Sequence, residues 1–350
     1  GLTKTPTFTD DGEEPVTGSV VRNSKVETKS FGAGFSITDG SRLVGFSVDN
    51  YQTKYGVPKE VNHLIDLNKT AVSFLFDESL DLGILQRVKA RVKYTDYKHD
   101  ELDASVKETT YKRDSTNARF EFFTEADNGI KGIFGLELLN SNNPVTAYSE
   151  EEEEEEEEEG HEEHASLGPI PTTKNKSTGL FAYQYTKIDG RLFEFGARVD
   201  NVKVESEHIH EIEEYGNAST AGEIHEEDGI EKSFTPSSVS LGITQDLSSD
   251  LKLHTSASYV ERAPSSFELF SGGVHHTTGI YENGNPNLKK EKGNHFDVGV
   301  SFDQNDFQIR GNLFYSDYKN YITLIKNSSI FYNEEHHHEE EEEEEGHEEE

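Results

Sequence analysis

Short turns and long connections alternate without a break along this chain, and between them lie segments in which apolar and polar residues change places at every position. Twelve such segments can be read, over about 27–38, 41–51, 64–76, 84–96, 110–126, 130–148, 173–188, 191–204, 232–245, 252–261, 290–302 and 307–325. In Arg191–Val199, Phe193, Phe195, Ala197 and Val199 share one face, with Glu194, Gly196 and Arg198 opposite. Phe296, Val298, Val300 and Phe302 alternate with Asp297, Gly299, Ser301 and Asp303 in the same way, and Phe181, Tyr183 and Tyr185 form an apolar row against Ala182 and Gln184. A period of two with one apolar face specifies strands with one wet side. The short turns fall at Asp39-Gly40, Asp77–Gly83, Asp127-Asn128-Gly129, Asp189-Gly190, Asp246–Leu251 and Asp303–Asp306. Asp-Gly and its relatives are hairpin signals, because they tolerate the positive φ of a tight turn. The long connections lie near 52–63, 97–109, 149–172, 205–231, 262–289 and 326–350.

In an up-and-down meander, this order puts every short turn at one rim and every long connection at the other. With aromatic-rich strands, it describes an all-β, antiparallel, up-and-down transmembrane β-barrel, its apolar rows facing lipid and its polar rows a lumen. A soluble β-sandwich is the alternative, with shorter strands and a two-layer core. The regular alternation of connection lengths favours the barrel.

Three of the long connections carry nearly all the charge. Glu150–His164, Glu205–Glu231 and Glu334–Glu350 hold 34 of the 69 acidic residues and no Lys or Arg, so the rest of the chain carries only −2 of the net −36. Nine of the 15 His lie there: His161, His164, His208, His210, His225, His336, His337, His338 and His347. A pure Glu run is a solvated segment held open by self-repulsion. Imidazoles interspersed in it make a ligand set for a divalent cation, with His suiting Zn²⁺, Cu²⁺ and Ni²⁺ and carboxylate alone suiting Ca²⁺. The charge excludes nucleic acid as a partner, since that needs a basic surface. His161-Glu-Glu-His164 lacks the spacing of a metalloprotease motif, and there is no nucleophile elbow or phosphate loop, so no enzyme activity is expected. With no Cys, the chain has no disulfide framework or thiolate metal site. It begins at Gly1 without a secretory signal and has no Met, as an internal portion of a longer protein would.

Val260–Glu291 carries the most specific local pattern: Arg262-Ala263-Pro264, then His275-His276, Tyr281-Glu282, Asn285-Pro286-Asn287-Leu288 and Glu291. It resembles the region of TonB-dependent outer-membrane receptors that holds an RAP-type box, a His-bearing loop and an NPNL-type box. Tyr55-Gly56-Val57-Pro58, Ile65-Asp66-Leu67, Tyr94–His99 and Phe195–Arg198 are similar to the zinc-uptake, ZnuD-type branch. The resemblance implies a barrel of about 22 strands, of which twelve are present. It also implies a plug domain before residue 1, closing strands after residue 350, and energy from a TonB–ExbB–ExbD complex acting through the plug. The expected organisation is a lead-in at 1–26, a partial barrel in outer-membrane lipid at 27–326, with acidic outer loops at 149–172 and 205–231, and a further acidic loop at 327–350.

The expected function is zinc uptake. The Glu/His loops gather Zn²⁺ and steer cations to the pore mouth, and a tighter site accepts the ion below them. His99 with His275, His276 and Glu282 is the expected tighter set; His63 stands in a similar place to His99. His254 and His295 fall on strands and read as ordinary wall residues. The resemblance also supplies haem uptake as an alternative, with His275 or His276 as axial ligand. The two boxes read equally as loop-shaping elements, since Asn-Pro marks a turn regardless of ligand. A surface barrel that binds Ca²⁺ or a host partner is the third reading.

Overall fold

A computed structural model of the chain describes residues 21, 23–58, 62–148, 170–212, 224–275, 280–304 and 306–325. The acidic stretches 150–164 and 334–350 lie outside these residues, and with them His161, His164, His336, His337, His338 and His347; His276 is outside as well.

All twelve expected strands form. They are β1 (Val26–Thr38), β2 (Arg42–Gly56), β3 (His63–Leu82), β4 (Leu85–Asp103), β5 (Val106–Glu125) and β6 (Lys131–Asn143), which β7 (Val145–Ala147) extends. Then come β8 (Thr173–Ile188) and β9 (Arg191–Ser206), the hairpin of β10 (His208–Ile212) and β11 (Ile224–Asp228), β12 (Glu231–Phe234), β13 (Ser237–Asp246) and β14 (Leu251–Arg262). A short helix, α1 (Ser266–Phe270), and the hairpin of β15 (Gly272–His275) and β16 (Ile280–Asn283) precede β17 (Glu291–Gln304) and β18 (Phe307–Lys319). The main sheet runs β1-β2-β3-β4-β5-β6-β8-β9-β13-β14-β17-β18, every pair antiparallel, with β7 on β5 and β12 on β9. This is the meander of an all-β antiparallel barrel wall. Among the described residues, β1 and β18 are its two edges.

Register joins the apolar rows into one belt. Phe35 faces Phe46, Phe46 faces Phe74, Leu136 faces Leu180 and Val298 faces Leu313. The belt is open to its surroundings: Phe35 is 65% exposed, Leu241 59% and Leu313 79%. So large an apolar surface is stable against hydrocarbon, not water. No helix among the described residues is long and apolar enough to cross a membrane.

The opposite face is a lattice of charge. Arg87 pairs with Asp77, Arg91 with Glu121 at 3.1 Å, Arg119 with both Glu121 (3.1 Å) and Glu137 (3.2 Å), and Arg198 with Glu137 (2.9 Å) and Asp200 (2.6 Å). One sequence expectation fails here. Phe181, Tyr183 and Tyr185 lie on this charged face, in register with Arg198, Gly196 and Glu194. The Arg119 guanidinium sits 4.2 Å from the Phe181 ring centre, and the Tyr183 hydroxyl donates to Glu194. A Cβ at Gly135 would meet the Phe181 ring at 2.1 Å, so the missing side chain makes room for it. Aromatic rings bind arginine as well as lipid, and apolar content alone misassigns the row.

Connection lengths change too. The stretch 97–109, expected as a long loop, is strand almost throughout: β4 runs to Asp103, β5 starts at Val106, and only Ala104-Ser105 turn. Once a strand leaves the bilayer it needs no apolar face, so the alternation fades while the hydrogen-bonded ladder continues. At the opposite rim, Asp189-Gly190 turn with φ of 49° and 76°, the paired positive values of a two-residue hairpin. The segments 130–148 and 232–245 are each split at a proline, Pro144 and Pro236, which has no N–H to give to a ladder.

Candidate metal site at the outer rim

Strands β3, β4 and β5 are 20, 19 and 20 residues long. About 9–11 tilted residues cross the hydrocarbon, so the halves remote from the short turns stand above it. On the inner face of that extension, β4 presents Tyr97, His99, Glu101 and Asp103, two residues apart. Register puts Leu67, Ile65 and His63 of β3 beside His99, Glu101 and Asp103. On the other side, β5 puts Tyr111 beside His99 and Thr109 beside Glu101.

His99 is held on three sides. Its Nδ1 lies 2.9 Å from the Tyr97 hydroxyl, its ring stacks on Tyr111 with centroids 4.5 Å apart and 12° between planes, and its Nε2 is 3.9 Å from Glu101 Oε1. The Glu101 side chain is 6% exposed and that of His99 19%. Burial pushes the Tyr111 hydroxyl well above its ordinary range, and the negative charges of Glu101 and Glu282 push it further. Glu282 belongs to β16, more than 170 positions later in the chain; the fold brings its charge within electrostatic range of Tyr111, but His99, Glu101 and Glu282 do not converge to within 4.8 Å of one another as the three ligands of an ion would.

That delivery depends on the two sequence boxes. Arg262, at the end of β14, forms a fork with Glu268 of α1 (2.8 and 3.0 Å) and reaches Glu291 at 3.5 Å. Ser265 and Glu268 close a capping box at the helix start. Asn285 N–H donates to the Glu268 carbonyl at 2.9 Å, and the Asn285 side chain accepts from Asn287 N–H at 2.8 Å. Beneath them, Leu269 and Phe270 are buried with Val204, packed by Val202, Ile230, Phe234 and Leu288. A Cβ at Gly284 would lie 2.7 Å from the Leu269 carbonyl carbon, so chain and helix meet there only through glycine. The boxes build a small folded module that fixes the β15–β16 hairpin.

The other expected ligands fall as follows. His275 is the last residue of β15, paired with Ile280, and Glu282 is paired with Gly273. His208 opens β10 opposite Asp228; His210 pairs with Glu226 and His225 with Glu211. The stretch 205–231 thus contains an ordered hairpin, and β10 lies beside β15. His254 and His295 each share a hydrogen bond with a hydroxyl across the ladder, Thr244 and Ser316, both at 2.9 Å.

Sequence reasoning did not single out Glu101, Asp103 or Glu108, and gave His63 only passing weight. His63 lies 3.5 Å from Glu108 and 4.0 Å from Asp103, and the three offer ligand atoms within 4.8 Å of one another. The period-two spacing of His99, Glu101 and Asp103 was the available signal; the partners across the ladder were not.

A family model described as TonB dependent receptor-like, β-barrel, matches residues 7–335. Among solved structures, the chain is similar to the copper transporter OprC, at 14% identity over 88% of this chain and 47% of that one, with a TM-score of 0.67. It is similar to the Serratia marcescens hemophore receptor HasR in complex with its hemophore HasA and heme, at 17% identity, 85% and 46% coverage and a TM-score of 0.62. It is also similar to the FrpB iron transporter from Neisseria meningitidis, at 16% identity, 86% and 46% coverage and a TM-score of 0.61. At these identities the likeness is one of fold, and the chain spans about half the length of each relative.

Proposed function

We propose a role in metal uptake across the outer membrane, because this chain belongs to the TonB-dependent receptor β-barrel family and its outer rim is built from imidazole and carboxylate. Barrels of this family sit in the outer membrane of Gram-negative bacteria, and the apolar belt is the surface by which this one does so. The cargo in this reading is Zn²⁺. The Glu/His stretches concentrate it, and His99 and Glu101 receive it, with Glu282 of the β15–β16 hairpin as a further carboxylate. A plug domain coupled to TonB–ExbB–ExbD supplies gating and energy in the whole receptor.

The observation that carries the reading is the largely buried His99–Glu101 pair on the inner face, with His99 Nε2 3.9 Å from Glu101 Oε1 and the imidazole held by the Tyr97 hydroxyl and the Tyr111 ring. Nitrogen with carboxylate is a donor set suited to zinc and copper; calcium has no use for the imidazole. Neutral His and ionised carboxylate are both required, so protons compete with the ion for this donor set.

Uptake of radioactive zinc by cells that express the full receptor, under zinc limitation, is the test. His99→Ala and Glu282→Gln are expected to lower uptake at least ~10-fold, since each removes a ligand group. Unchanged zinc uptake in both variants overturns the reading. Haemin-dependent growth lost in His275→Ala or His276→Ala, with zinc uptake intact, replaces it with haem transport; preferential copper uptake keeps the site and changes the cargo.

A further inference from the structure

We infer that His63, Asp103 and Glu108 form a second divalent-cation site, further out on the same row, that takes zinc or a comparable nitrogen-seeking ion. This rests on reading the rim as a path for cations, but its chemistry stands separately.

The β4–β5 hairpin is shaped to make the cluster. Glu101 pairs with Thr109 and Leu102 with Lys107, so Glu108 is the extra residue of a β-bulge. A bulge re-aims a side chain out of strict alternation. Here it turns Glu108 to the inner face, where its Oε2 comes 3.5 Å from His63 Nδ1. Asp103 ends β4 directly opposite His63. The two turn residues after it, Ala104 and Ser105, have φ of 45° and 101° although neither is glycine. Such backbone is strained and persists where surrounding structure holds it. Ala104 N–H donates to the Asn62 carbonyl at 3.3 Å, tying the turn to the residue before His63. The His63 carbonyl accepts from Val57 N–H at 3.0 Å and from the Asn23 side chain at 2.6 Å. All three ligand-bearing backbones are therefore positioned in advance.

The side chains fit an ion better than they fit one another. Asp103 Oδ1 and the Thr109 hydroxyl are shut off from solvent and make no hydrogen bond among the described residues. His63 Nε2 and Asp103 Oδ1, at 4.0 Å, are too far apart for a direct hydrogen bond. Ligands ~2.1 Å from a tetrahedral zinc stand about 3.4 Å from each other. The His63 Nδ1–Glu108 separation of 3.5 Å already matches; Asp103 faces the other ring nitrogen, at 4.0 Å, but the three residues offer ligand atoms within 4.8 Å of one another, so an ion on Nδ1 draws the Asp103 carboxylate across to complete three ligands, with one position left for water. A three-ligand site with an open position exchanges its ion, as a staging point above the His99 set requires.

The test uses the full receptor in detergent, stripped with chelator and titrated with Zn²⁺ against a chromophoric competitor, with crystals soaked in zinc for anomalous diffraction at its absorption edge. An anomalous peak about 2.0–2.2 Å from His63 nitrogen and from an oxygen of Asp103 and of Glu108 is expected. His63→Ala and Glu108→Gln should each remove about one tightly bound zinc per receptor, with Lys107→Ala removing none. Heat-modifiable gel mobility confirms that the variants still form barrels. His99→Ala should leave this zinc in place, so the proposal and the uptake reading can fail independently. No peak at the cluster, or unchanged stoichiometry in folded His63→Ala and Glu108→Gln, means an ion pair only and overturns the site; equal occupancy by Ca²⁺ overturns its nitrogen-ligated character.

Discussion

Glu268→Gln breaks the clamp that holds the β15–β16 hairpin, and the size of the effect can be worked out. Glu268 accepts the Arg262 fork at 2.8 and 3.0 Å, and also the Ser265 N–H and hydroxyl at 2.8 and 3.1 Å. Loss of a capping interaction costs about 1 kcal/mol. The Arg262 side chain is 43% exposed, so solvent screens the pair and its loss adds only ~0.2–1 kcal/mol. A total near 1.5 kcal/mol raises local opening about tenfold. Hydrogen exchange of the full receptor reads this directly: amides of 266–273 and 282–288 should lose about tenfold protection while β3–β6 stay unchanged. Burial raises the Glu268 pKa, but the Arg262 fork and the Ser265 bonds outweigh it, and the group sits below its ordinary value. A carboxylate lowered on folding stabilises fully above its unfolded pKa and loses that contribution as pH falls through the folded one. Wild-type protection in α1 should therefore hold from pH 7 down to about 5 and fall only below the ordinary Glu range near ~4.3, whereas Glu268→Gln should show no such fall. A loss of protection under twofold, or one spread evenly over the barrel, would falsify the clamp.

Phe181→Ala removes the ring beneath Arg119 and Arg198, and should lower the melting temperature in detergent by the equivalent of ~1–2 kcal/mol; an unchanged melt would show that the ring contributes nothing to the charged wall. Ser105→Gly relieves a φ of 101° and should stabilise the folded barrel by about 1 kcal/mol, seen as a higher urea midpoint with unchanged slope; a lower midpoint would place the strain elsewhere. Peptides covering 150–164 and 334–350 should bind Zn²⁺ in calorimetry more tightly than a Glu-only control, and lose the difference at pH 5; equal binding would reduce these stretches to charge alone.

Much of the wall was legible in one dimension. Alternation of Phe296, Val298, Val300 and Phe302 marks a strand because side chains must reverse at every residue, and Asp189-Gly190 marks a hairpin because few residue pairs accept two positive φ values. These are local constraints, and local constraints survive in the sequence. The candidate site was half legible. His99 and Glu282 were named in advance, but Glu101, Asp103 and Glu108 look like ordinary charges in an expected loop.

By itself, the sequence determined that the chain makes amphipathic antiparallel strands in a meander, that its acid and imidazole concentrate in a few connecting stretches, and that Val260–Glu291 resembles a receptor family. Only the tertiary structure decided which of those connections were strands, which face Phe181 serves, and which distant residues meet. Arg262 pins the helix and the hairpin that carry Glu282. Glu108 reaches His63 because one residue too many on β5 turns its side chain inward. Register and bulges are set by pairing between strands, and pairing is a property of the assembled sheet that no single segment encodes.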